Sequence, residues 1–158
     1  MDRRHEAGFT LVEAMIAIVI LVFGLMAITN LMIVSASSNT VANHMTGATG
    51  EANEVMERLK AIPFTQLTVG GNLTADAGTV PNCQEPTQDC VIVGNFNAYR
   101  GIPGVGVIRT RWTIESEDAQ TMFIIVRSES TSPLVGTRSR AELTMFRACT
   151  APVQGCAP

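Results

Sequence analysis

Residues 14–34, AMIAIVILVFGLMAITNLMIV, form an uncharged run of about 21 residues, and an acid, Glu13, stands at its head. About 20 consecutive apolar residues in a helix are enough to cross the hydrocarbon core of a bilayer. The run is apolar all round and lacks the wet face of a helix lying on a globular core. It therefore predicts a membrane span. A glutamate in such a segment costs about 2.5–3.5 kcal/mol near the centre on insertion scales, and less near an end. An intramembrane acid is a functional residue by default, so something must neutralise it.

The helical pattern outlasts the apolar run. Val41, Met45, Ala48, Ala52, Val55, Leu59 and Ile62 recur at steps of four and three, which predicts an amphipathic continuation. Glu51, Glu54, Glu57, Arg58 and Lys60 fall on its wetter face, with Glu54 and Arg58 at the i,i+4 spacing of a helical ion pair. No proline interrupts residues 11–62, and Pro63 stops the pattern. One continuous helix is predicted, with Gly24, Gly47 and Gly50 as soft points costing roughly 1 kcal/mol each against alanine.

Beyond Pro63 the period changes from helical to alternating. TVGGNLTADAGTVPN (68–82) is rich in turn formers and reads as a loop, followed by a short strand candidate at 91–93. Ile108, Thr110, Trp112 and Ile114 alternate with Val107, Arg109, Arg111, Thr113 and Glu115, which predicts a strand with one buried and one wet face. Further strands are predicted at 121–128 and at 139–148, the latter with Ala141, Leu143 and Met145 on one face. GIPGVG (101–106) reads as a turn rather than a phosphate loop, because no strand–helix pattern surrounds it. Consecutive strands with short links make an antiparallel meander, and the stripe at 41–62 is the natural cover for its apolar face. The predicted class is α+β: a long N-terminal helix, half membrane-spanning and half amphipathic, packed on a small antiparallel sheet.

Four cysteines, Cys83, Cys90, Cys149 and Cys156, fall in two C-x6-C spacings. Zinc sites use tighter pairs. The cysteines therefore predict two disulfides in an oxidising compartment, and local pairing is preferred among the three connectivities. The last ten residues read as a disulfide-stapled tail. Ten arginines and one lysine are scattered over a chain of net charge −3, which argues against a polyanion-binding surface. Tyr99-Arg100 and the stretch from Arg109 to Trp112 set aromatics beside arginines, as in single-strand nucleic-acid sites. A solvated strand face over a buried tryptophan is the simpler reading. Asn72, Asp76 and Asp89 match no EF-hand spacing and read as turn residues. Asn72-Leu73-Thr74 fits a glycosylation sequon, read as coincidence. No G-x-S-x-G, H-E-x-x-H or phosphate-loop signature occurs, and His5 and His44 are the only histidines. No enzyme activity, metal or cofactor is expected. The apolar core is also too long for an ordinary secretory signal, whose cut would fall near Ser35-Ala36-Ser37.

Gly8-Phe9-Thr10-Leu11-Val12-Glu13, followed by the apolar helix, closely resembles the class III signal of type IV prepilins and pseudopilins. The resemblance implies cleavage between Gly8 and Phe9 by a prepilin peptidase, N-methylation of Phe9, and subunit docking through Glu13, the fifth residue after the cut. It implies a leader at 1–8, a transmembrane or filament-core helix at 9–36 and a periplasmic pilin domain at 37–158. The new amine at Phe9 would be the charge that Glu13 neutralises, in its own chain or a neighbour's. The apolar helix with Gly24 and without a mid-helix proline looks like PilV-type minor pilins and the related type II secretion minor pseudopilin I. The expected function is that of a minor pilin in the complex that primes pilus assembly near the tip, for adhesion or twitching motility. A secretion pseudopilin and a monomeric membrane-anchored periplasmic binding domain are the alternatives. Expected partners are the prepilin peptidase, other minor and major pilins, and the inner membrane before assembly. Nucleic acid is not expected, DNA uptake being the outlying case.

Overall fold

The computed structural model describes residues 9–77, 94–118, 120–133, 135 and 138–149. The chain divides into two units, Met1–Asn39 and Thr40–Pro158. Helix α1 (Leu11–Ala61) contributes to both. The absence of proline and the run of good helix formers let it propagate. Ile62 leaves the helix immediately before Pro63, as the clash of a prolyl ring with the preceding residue requires. At this end the Leu59 carbonyl accepts a hydrogen bond from Arg147 at 2.8 Å, satisfying one of the orphan acceptors of a helix terminus. A 3-10 turn, Phe64–Gln66, follows and turns Phe64 and Leu67 back into the core.

Among the described residues, the second unit is a five-stranded antiparallel sheet covered by the latter half of α1. Its strands are β1 (Gly70–Gly71), β2 (Asn97–Ile102), β3 (Gly106–Asp118), β4 (Thr121–Ser130) and β5 (Arg140–Ala148). Strands β3 to β5 form the predicted meander. The sequence did not mark β2 as a strand; it pairs with β3, which therefore lies along both β2 and β4. The long β3 also pairs with β1, Gly70 and Gly71 lying opposite Ile114 and Thr113. The turn expected at 101–106 is shorter than its expected bounds: Gly101 and Ile102 end β2, Gly106 begins β3, and residues 103–105 turn between them, where the Val105 amide donates to the Ile102 carbonyl at 3.0 Å.

The inner face follows the alternation in the sequence. Ile108, Trp112 and Ile114 of β3 and Met122, Ile124 and Val126 of β4 pack with Ala48, Ala52, Val55 and Leu59 of α1 in one core. Ala141 joins it, with Leu143 and Met145 at its margin. Toward the start of the unit the seam becomes polar. Thr110 and Ser128 hydroxyls meet at 2.7 Å, and His44 Nδ1 lies 2.9 Å from Ser130 Oγ.

Four expectations need correction. Met45 is 45% exposed, whereas His44 is buried at 7%. The covered stripe runs from Ala48 back to His44, four residues rather than three, because the hydroxyl of Ser130 receives the imidazole there. Glu51, expected on the wet face, is also 7% exposed. Strand β2, whose NAYRGI sequence carries no clean alternation, brings Arg100 against it with Nη1–Oε2 at 3.3 Å. Finally, the far face of β3 is not uniformly wet, and the stretch at 68–82 is not all loop. β1 pairs beside β3, where the Thr113 hydroxyl donates to the Gly70 carbonyl, and Asp76, a few residues on, bonds Arg111; Arg111 and Thr113 are buried at 7% and 8%. Gly71 makes this close approach possible: its φ is +100° and an added Cβ would stand 2.2 Å from the Trp112 carbonyl oxygen. The strand candidate at 91–93 and all of the tail but Cys149 lie outside the described residues.

Candidate functional site

The segment from Phe9 to Val34 is the part of the chain whose chemistry its own fold leaves unused. Every side chain from residue 9 to residue 40 is exposed, including Phe9 at 81% and Leu31 at 70%. A helix apolar on all sides and covered on none needs lipid or other helices around it. Its length and composition suffice to cross a membrane.

Glu13 sits in the first turn of α1. Thr10 precedes the helix, and its hydroxyl oxygen accepts the Glu13 amide at 3.3 Å, while its carbonyl accepts the Ala14 amide at 3.1 Å. Thr10 is therefore the N-cap, and Glu13 is the third helical residue, the T-x-x-E arrangement of a capping box. The sequence reading used Glu13 for its charge and overlooked this motif, which was visible in the spacing. The cap fixes where the helix begins, so Phe9 lies before it and the Glu13 carboxylate emerges one turn inside. Among the described residues no cation pairs with that carboxylate. A negative charge at a helix N-terminus is favoured by the macrodipole by about 0.3–1 kcal/mol, too little to hold it in hydrocarbon unaided. What the arrangement offers is an acceptor for an external cation. Gly8 lies outside the described residues.

The other residues weighed from the sequence are occupied within the fold. Trp112 is 1% exposed and presents no stacking surface. Arg100 pairs with Glu51 and Glu54, Arg109 with Glu129, and Arg111 with both Asp76 and Glu129. Each arginine of the proposed nucleic-acid face thus has a carboxylate partner. Asn72 is a turn residue, its side-chain oxygen accepting the Thr74 amide at 2.8 Å. Asp76 receives the Tyr99 hydroxyl at 2.5 Å and Arg111 Nε at 2.7 Å. Burial raises the Asp76 pKa, but those two bonds outweigh it and bring the carboxyl below the usual range. The Tyr99 phenol is pushed up by burial and by the same carboxylate. Asp89 lies outside the described residues, and among these no three His, Cys, Asp or Glu side chains gather to hold a metal. Cys149 is disulfide-bonded. Cys83, Cys90 and Cys156 lie outside the described residues, and with them the expected pairing.

Residues 3–29 match the prokaryotic N-terminal methylation motif. No curated protein and no solved structure matches the chain. The motif spans the charged start, the capped turn and most of the apolar run. It supports the type IV pilin-like family, pilin or pseudopilin, and implies processing by a prepilin peptidase and association with other pilins. It is a structural signature, not a catalytic one. The motif and the uncovered helix together fit a membrane-anchored pilin.

Proposed function

We propose that this chain is a minor type IV pilin. It is cut between Gly8 and Phe9, N-methylated on Phe9, and docked onto neighbouring pilins through Glu13 as part of the complex that primes assembly near the filament tip. The observation that carries the reading is the match of residues 3–29 to the methylation motif. Within that match, no cation among the described residues pairs with the Glu13 carboxylate, which stands one turn inside the exposed apolar half of α1.

Cleavage after Gly8 creates an amine four residues before Glu13. Two opposite charges in greasy surroundings are each costly alone, and pairing makes burial tolerable while fixing the axial register of one helix on the next. Residues 1–8 are then the leader, 9–36 the span, and 37–158 a periplasmic domain that later lies on the filament surface. The minor role is supported by the unbroken helix, which carries no proline from residue 11 to residue 61. A retained Glu13 supports a place below the outermost subunit. Cys83–Cys90 and Cys149–Cys156 are the disulfides this reading assigns to the oxidising side.

Intact-mass analysis of the membrane-extracted protein tests the maturation. The expected mass lacks residues 1–8 and carries one added methyl, and both changes vanish in cells without prepilin peptidase. A product still beginning at Met1 in wild-type cells refutes the proposal. Glu13→Ala is expected to leave the mature protein in the membrane while lowering pilus number. Unchanged piliation would rule out docking through this acid.

A further inference from the structure

Asn30 is the one amide in the apolar run, and the fold gives it nothing to do. Its neighbour Thr29 is satisfied internally, the hydroxyl donating to the Leu25 carbonyl at 2.8 Å. The Asn30 amide makes no hydrogen bond among the described residues, and it lines a shallow surface groove with Val22, Leu25, Met26 and Thr29. At helical spacing it shares a face with Phe23, Met26 and Ile33, exposed by 69%, 61% and 63%. An unsatisfied amide in hydrocarbon is costly, and one asparagine in an apolar helix face can specify register and partner.

We propose that, before assembly, two copies of this chain pair in the membrane as an in-register parallel dimer, with the Asn30 amides bonding to each other across the contact. A side-chain amide carries both a donor and an acceptor, so its simplest complement is a second amide at the same level. Two copies inserted with the same topology bring identical residues to the same level, which supplies that complement without another protein. The inference rests on the reading that residues 9–34 lie in the membrane, and it adds a consequence. Where the docking neighbour is a second copy of this chain, pairing Glu13 with its Phe9 amine shifts one helix by four residues, about 6 Å at 1.5 Å per residue. The shift pulls the two Asn30 side chains out of reach. The amide-locked dimer and the charge-locked assembly are therefore alternative registers of one helix, the first holding subunits in reserve and the second consuming them.

The test is cysteine cross-linking of the full chain in native membranes of cells lacking prepilin peptidase, where assembly does not compete. Met26→Cys lies on the Asn30 face and Ile28→Cys on the opposite one. A covalent dimer is expected with Met26→Cys and not with Ile28→Cys. Adding Asn30→Leu to Met26→Cys is expected to lower its yield about fivefold or more, whereas Asn30→Gln keeps part of it. Absence of a Met26→Cys dimer, equal dimer from both faces, or a yield indifferent to Asn30→Leu each overturns the proposal. Intact mass in peptidase-positive cells reads the pilin assignment separately, so a correctly cut protein that fails to cross-link sinks the dimer alone.

Discussion

Asp76 Oδ1 accepts a hydrogen bond from Arg111 Nε at 2.7 Å, although 35 residues separate the two in sequence. The bond ties the chain leaving β1 to the far face of β3. It explains how an arginine can be 7% exposed on a strand face that the alternation marks as wet.

That bond predicts an acid-sensitive contribution to stability. The Asp76 carboxyl is held below its unfolded pKa, so the stabilisation is present above about pH 4 and is lost as pH falls through the lower folded value. Asp76→Asn is expected to lower the unfolding free energy of the detergent-solubilised protein at neutral pH by no more than about 1 kcal/mol, because the side chain is well exposed. The difference should shrink as pH falls below about 4 and the carboxyl is protonated. A gap that stays constant across this range would exclude the ionised carboxylate as its source.

Glu51 predicts the opposite sign. Burial raises its pKa, and Arg100 offsets this only in part, so the net direction is upward. A carboxyl whose folded pKa is raised stabilises most below its unfolded pKa, and that contribution is lost as pH rises through the folded value. Glu51→Gln is therefore expected to gain relative stability as pH rises from about 4 to 7. Parallel denaturation curves of variant and parent over that range read this directly, and a variant that falls further behind would refute it.

The helix–sheet core predicts a large cost for deleting its main filler. Trp112 is 1% exposed within the apolar cluster, and Trp112→Ala is expected to destabilise by about 3–5 kcal/mol in chemical denaturation. Gly71→Ala tests the close approach behind the same residue. The positive φ and the 2.2 Å encounter with the Trp112 carbonyl should cost more than the roughly 1 kcal/mol of a simple left-handed strain. A neutral Gly71→Ala would show that β1 is not fixed against β3.

The Thr10 cap predicts a local effect. Thr10→Val keeps the shape and removes the acceptor for the Glu13 amide, at a cost of about 0.5–2 kcal/mol in the first turn. Amide exchange at Glu13 should accelerate in Thr10→Val and stay slow in Thr10→Ser. Equal protection in both variants would mean that the hydroxyl does not set the start of the helix.

Much of the fold was legible because it follows from period. The 3.6-residue repeat and Pro63 placed α1 to within one residue of its end at Ala61. The two-residue alternation picked out the apolar inward side chains of β3 and β5, and β4 was recognised as a strand without its face being assigned. β1 and β2 escaped because neither has a pattern of its own. Gly70–Gly71 is too short to alternate, and NAYRGI interrupts its alternation with polar and glycine residues. Each is a strand because β3 offers it an edge. In the N-terminal segment Glu13 was conspicuous as a charge out of place, whereas Thr10 and Asn30 passed as ordinary polar residues until the helix showed where their hydrogen-bonding groups stood.

By itself the sequence determined that an apolar helix begins beside an acid, continues with one greasy stripe and gives way to alternating strands. These are properties of neighbours along the chain, and covalent geometry repeats them at fixed intervals. Only the tertiary structure decided that Glu51 would be buried under Arg100, that His44 rather than Met45 would face the sheet, and that Asp76 would close over Arg111. Those outcomes depend on which distant group arrives opposite a side chain, and no local period encodes that.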